Sequence, residues 1–334
     1  MAVTLARANE IADTVLFPAA STVDMTGRIP SSHLDLLAES GFYGMSTPAT
    51  DIDFPTACAI TETFAAGCLS TSFVWLQHQG VARRVAGSPL ADELLDDLEL
   101  GKQRGGVALG GTLPGPPRLR ATAVPGGYQL IGESPWVTGW GMIDLLLVMA
   151  RDEHDNLISA IISARESDAL SVSSPLRMVA ATASNTVTAH FTGLFVPNEA
   201  VVGEQPYAEW AERDAAGLRF NGSLALGVVN RCTRLLGPTP LDAELTACRT
   251  RLDAAGADDL PAARAAADEL AVRASSALLV HTGSRSVLLD EHPQRLAREA
   301  MFLLVFASRK GIRDALLNTL TVKAGEWSGQ SGRA

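Results

Sequence analysis

Apolar residues recur at helical spacing through the first hundred positions. In LARANEIADTVLFPAA they fall near i, i+3, i+4 and i+7, which predicts an amphipathic helix. SSHLDLLAESG predicts another, opened by a serine cap and stopped at Gly41. From Phe54 the run FPTACAITETFAAGCLSTSFVWLQHQGVARRVAG is almost free of charge until Arg83 and shows no alternation, so it predicts one or two helices buried on most sides. SPLADELLDDLELGK reads as an ordinary amphipathic helix with a serine cap and an acidic first turn.

The texture changes near residue 104. GGTLPGPP, VPGG and SSP punctuate short runs such as YQLIG, DLLLVMA, NLISAIIS, SNTVTAHFTGLFVP and AVVG, the signature of a β-domain. Helical spacing returns from about 209 in LRFNGSLALGVVNRCTRLLG, LDAELTACRTRLDAAG, LPAARAAADELAVRASSALLVHTG and a closing run from PQRLAREAMFLLVF through TVKAG. The alanine-rich faces suit closely packed bundle helices. The predicted fold class is therefore α+β and multidomain: an all-helical domain over 1–103, a central β-barrel or sandwich domain over 104–208, a helical bundle over 209–325, and a disordered tail over 326–334.

Composition narrows the function. The chain has 27 basic and 37 acidic residues in 334, a net charge of −10, which argues against capture by nucleic acid or an anionic membrane. Cys58, Cys68, Cys232 and Cys248 never approach CxxC spacing and no signal-like leader precedes them, so reduced thiols in a cytoplasmic protein are expected and no metal site is predicted. The longest apolar run, ending at Ala150, is a strand's length and too short for a membrane helix.

One stretch stands apart. GESPWVTGWGMIDLLLVMARDE, residues 132–153, places Trp136 and Trp140 at a predicted loop between strands in a chain with only five tryptophans. Two large aromatics there either cap the end of a sandwich or face a planar ligand.

The order helical domain, β-domain, helical bundle, together with GESPWVTG, SNTVTAHFTGLFVPNEAVVG, HPQRLAREA and STSFVWLQHQG, resembles the acyl-CoA dehydrogenase superfamily, flavoproteins that include dehydrogenases and flavin monooxygenases. The resemblance implies FAD. It implies that Trp136 covers the flavin ring and that Thr138 hydrogen-bonds near its N5 edge, while Trp140 is this chain's own addition and a candidate for the substrate pocket. Thr112, in the segment Gly111 to Gly115, matches a loop that meets flavin and pyrophosphate. Arg234 stands where the family reaches a neighbouring subunit's pyrophosphate, and VHTGSRSVL offers Gly283 and Arg285 to the adenosine end. His78 lies on the helix that forms a wall of the family's substrate cavity. Arg295 and Arg298 are expected in structural ion pairs, although Arg298 matches a motif arginine.

The catalytic positions depart from the pattern. Family dehydrogenases remove a proton with a glutamate base, and that position falls on Ala307. An alternative base position falls on Gly217, with Asp214 within one turn. His281, read as buried, and Ser308 are the polar candidates for a monooxygenase site. Three functions follow from the resemblance: an FAD-dependent oxidoreductase acting on an acyl-CoA or other carrier-linked acyl thioester, a flavin monooxygenase of the same fold, or a flavin-free subunit that stabilises a paralogous partner. The family's habits also imply a homodimer or tetramer through the bundle.

Overall fold

The computed structural model describes residues 3–213 and 215–321. Six helices come first: α1 (Leu5–Ile11), α2 (Phe17–Thr26), α3 (Ser31–Glu39), α4 (Phe54–Gly67), α5 (Leu69–Ala86) and α6 (Ala91–Glu99). A π-helical turn, Ala12–Leu16, joins α1 to α2. The long, nearly uncharged run divides at Cys68, whose extended backbone ends α4 and starts α5. Serine capping was expected for two helices, and the structure corrects both. α3 is preceded by Pro30, which offers no side-chain acceptor, and Ser88 accepts from the Leu90 amide in the turn before α6 at 3.2 Å.

Eight strands follow: β1 (Gly105–Ala108), β2 (Leu119–Val124), β3 (Gly127–Val137), β4 (Leu145–Arg151), β5 (Asn156–Ser163), β6 (Leu170–Val172), β7 (Val187–Pro197) and β8 (Val201–Pro206). They form one connected sheet in the order β6-β7-β3-β2-β4-β5-β8, with β1 running parallel beside β4. The sheet forks at β4, because β2 touches it only through Arg120 and Arg151. Leu146, Val148 and Ala150 face the sheet's own apolar cluster, whereas Leu147 and Met149 face a second cluster built with Val81, Val85 and Leu98 of α5 and α6. Alternation thus buries both faces of β4, which is why its sequence reads as an unbroken apolar run.

The remaining helices are α7 (Tyr207–Arg213), α8 (Ala215–Leu236), α9 (Pro240–Ala254), α10 (Leu260–Thr282), α11 (His292–Leu303) and α12 (Lys310–Thr321). Helices α8 and α10 pack on each other, and α8 also packs on α4, so one core joins the first and last helical layers. At Gly227 of α8 an added Cβ would stand 2.5 Å from the Glu62 carbonyl of α4. Only glycine fits there. In the same core the Trp75 indole and the Gln79 amide both donate to the Phe42 carbonyl at 3.1 Å. The closing helical run is broken at Leu304–Arg309, where Ala307 adopts a left-handed φ of 49°. Phe302 and Phe306 keep helical i, i+4 spacing across the break, so the apolar pattern conceals it.

Candidate functional site at the end of strand β3

β3 and β7 pair antiparallel, and their register shifts between Ser134 and Val137. That β-bulge contains Pro135, which has no amide to donate, and Trp136, whose φ of 64° is left-handed. A side chain in that region costs roughly 1–2 kcal/mol. The bulge turns the Trp136 indole out of the pleat, where it is 61% exposed, while the neighbouring Val137 and Thr138 stay buried. An exposed tryptophan held by strained backbone is a feature of ligand clamps more than of folding cores.

Beneath it lies a row of three buried hydroxyls. Thr138 Oγ1 is 3.1 Å from Thr186 Oγ1, which is 2.8 Å from Ser184 Oγ. Each hydroxyl carries one hydrogen. If Ser184 donates to Thr186 and Thr186 to Thr138, the Thr138 hydrogen is left to point beyond the row. Gly139, with φ 88°, then turns the chain, its amide donating to the Ser184 carbonyl at 2.8 Å. Trp140 goes the other way: it packs half-buried on the sheet cluster, and its carbonyl accepts from the Asn185 side chain. Trp140, expected at a substrate pocket, thus has one side on the sheet.

Thr112 sits in the adjoining loop Leu109 to Gly115. It is buried, its hydroxyl donates to the Leu109 carbonyl at 2.9 Å, and its own carbonyl accepts from the Tyr207 hydroxyl at 3.3 Å. The organiser of this loop is Arg151, a residue that sequence reasoning missed. Its buried guanidinium donates to the carbonyls of Gly111 (2.8 and 3.0 Å) and Leu113 (2.9 Å) and lies 3.6 Å from the Tyr207 ring centre. The one available signal was an arginine closing an otherwise apolar strand.

Other candidates lie elsewhere. His78 is enclosed in the core, where Nδ1 accepts from the Gly105 amide at 3.0 Å and the ring meets Tyr43 edge-on at 4.6 Å. Burial drives its pKa down to about 3, so it is a neutral core histidine in place of the pocket contact expected. His281 was read as buried and is exposed in the last turn of α10. Ser308 lies in the bend between α11 and α12, its Oγ enclosed with no hydrogen-bond partner. Arg234 spends its hydrogen bonds on Asp13 (2.8 and 2.7 Å) and Arg285 on Glu291 (3.1 and 2.5 Å). Gly283 is exposed, with a φ of 74° and open space around it. Gly217 is exposed in the first turn of α8, and Asp214 lies outside the described residues. The expected tail over 326–334 also lies outside them.

Arg295 and Glu299 form a buried ion pair at 2.6 Å, and Arg298 binds Asp24 of α2 and the Val179 carbonyl, clamping α11 to the N-terminal helices. Both arginines are therefore in structural ion pairs. All four cysteines are buried and unpaired. Among the described residues no cluster of three or more His, Cys, Asp or Glu is arranged to hold a metal, and no helix is long and apolar enough to cross a membrane.

No family model matches the sequence. The glutaryl-coenzyme A dehydrogenase structure in complex with glutaryl-CoA superposes with a TM-score of 0.82 at 17% identity, covering 96% of this chain and 94% of that one. The chain has the acyl-CoA dehydrogenase fold. Butyryl-CoA dehydrogenase from Megasphaera elsdenii gives 0.81 at 16% identity, covering 95% of this chain and 97% of its own. PigA with FAD and proline also gives 0.81 at 16%, with coverage of 95% and 96%. In sequence, 167 residues are 27% identical to 3-sulfinopropanoyl-CoA desulfinase of Variovorax paradoxus. That match spans 47% of this chain and 42% of the relative's length.

Proposed function

We propose that this chain holds FAD against the end of β3 and acts as an oxidoreductase on an acyl thioester. The observation that carries this reading is the pairing of outward Trp136 on its left-handed bulge with inward Thr138 on its hydroxyl row, in a chain of the acyl-CoA dehydrogenase fold. The residues fit the isoalloxazine: an exposed indole supplies an aromatic wall, and a braced hydroxyl supplies a donor at the ring edge. Bound there, the flavin supplies two-electron redox chemistry. Thr138 orients its edge, Trp136 shields one face from water, and Arg151 keeps the Thr112 loop closed beside it.

Within one chain the phosphate end is thinly provided, because Arg234 and Arg285 are both engaged by carboxylates. The apolar residues Val280, Val287, Leu288 and Leu289, all exposed at the end of α10 and just beyond it, support association with a second copy that completes the site. A homodimer or tetramer is part of the proposal.

A second reading is favoured by the curated sequence match. Its name gives a substrate that is an acyl-CoA with a sulfinate at C3, and an alanine at the expected base position suits chemistry that does not begin with removal of an α-proton. Purified protein loaded with FAD separates the two. Anaerobic bleaching of the flavin bands by butyryl-CoA supports the oxidoreductase. Sulfite release from 3-sulfinopropanoyl-CoA without bleaching supports the desulfinase-like reading. Failure to retain FAD sets aside the flavin site on which the first reading depends.

A further inference from the structure

A cleft of about 530 Å³ opens between the N-terminal helices and the turn that follows β3. One wall is a face of α2, where Ala19, Val23 and Thr26 recur at i, i+4 and i+7. Ile29, Leu34 and Met142 complete an apolar lining. Arg28 and Arg104 also line the cleft, in a chain whose net charge is −10. Arg104 gives one nitrogen to Asp35 at 2.5 Å, while its Nε is enclosed with no hydrogen-bond partner. Arg28 is exposed and forms no ion pair or hydrogen bond among the described residues. Of the acids nearby, Asp24 is paired with Arg298, and Asp144 accepts from the Arg104 amide and keeps its charge.

We propose that this cleft binds a compact amphipathic monocarboxylate, its tail on Ala19, Pro30 and Met142 and its carboxylate between Arg28 and Arg104. Arg104 is offset by Asp35, whereas Arg28 has no carboxylate partner among the described residues, so its charge is left for an anion. Guanidinium matches carboxylate by charge-assisted, often paired, hydrogen bonds. An apolar lining with a few convergent polar groups is the usual make-up of a small-molecule site. The uncapped start of α3 at Ser31, which also lines the cleft, adds a favourable field for the same sign. Its wall at Gly141 and Met142 belongs to the turn that follows β3, and the test below needs no flavin.

The test uses full-length protein labelled with ¹³C at methionine methyls, the Met142 signal being assigned with Met142→Leu, and titrated with hexanoate or with hexanol as the neutral analogue. Hexanoate is expected to shift the Met142 methyl saturably and hexanol to bind about tenfold more weakly. Arg28→Gln, at an exposed position, is expected to weaken hexanoate about tenfold and to leave hexanol unchanged. An unmoved Met142 signal at high hexanoate overturns the proposal, as does equal binding of both probes with no effect of Arg28→Gln.

Discussion

Thr138 and Thr186 face one another hydroxyl to hydroxyl, 3.1 Å apart, and Thr186 alone also reaches Ser184. The middle member of a buried row has two partners and each end member has one. Thr186→Val therefore strands two hydroxyls and is expected to cost about 1–3 kcal/mol, whereas Thr138→Val leaves the other pair intact and costs about 1 kcal/mol. Urea unfolding of the two variants checks the order, and equal losses would contradict the row.

Trp136 combines strain with exposure. Trp136→Gly removes little burial and relaxes the left-handed backbone, so its unfolding free energy should lie within about 1 kcal/mol of the parent. Flavin affinity should nevertheless fall several fold, since an aromatic wall contributes on the order of 1 kcal/mol. Denaturant melts and FAD titrations on the same samples make the comparison.

Two histidines give stability a pH dependence. Burial holds His78 down to about 3, and burial followed by the charges of Arg295 and Arg231 holds His292 down to about 4. Unfolded histidine titrates near 6.5, so between that value and the depressed ones the unfolded chain takes up protons that the folded chain refuses. The contribution is present above about pH 6.5 and is lost as the pH falls, at up to about 1.4 kcal/mol per pH unit for each histidine. His292→Asn should flatten the decline measured between pH 7 and pH 5.

The buried pair Arg295 and Glu299 is a liability when halved. Burial raises the Glu299 carboxyl, against the pull of Arg295, and removing the acid leaves a guanidinium in the core. Glu299→Leu should cost roughly 3–5 kcal/mol, and the double variant Arg295→Met/Glu299→Leu should recover much of it. Thermal or chemical unfolding of both variants checks this.

The three-part layout was legible because its period changes: helical spacing to Glu99, β runs from Gly105 to Pro206, helical spacing again beyond. GESPWVTGW drew attention through its two tryptophans, yet nothing in the string separated outward Trp136 from inward-packed Trp140. That difference is set by the bulge opposite Val187 and by Asn185, some fifty residues away. Arg151 left only a faint signal for a related reason, since most of its hydrogen bonds go to backbone carbonyls, which carry no residue identity. His281 was misjudged because its helix is long and apolar, whereas the last turn of α10 emerges into solvent.

The most direct test of the central claim is the titration of purified, flavin-stripped protein with FAD, followed by its visible absorption and by quenching of tryptophan fluorescence. Saturable binding is expected, with shifted flavin bands and an affinity that falls several fold in Trp136→Ala and changes again in Thr138→Val. No binding, or binding indifferent to both substitutions, would contradict a flavin site at the end of β3.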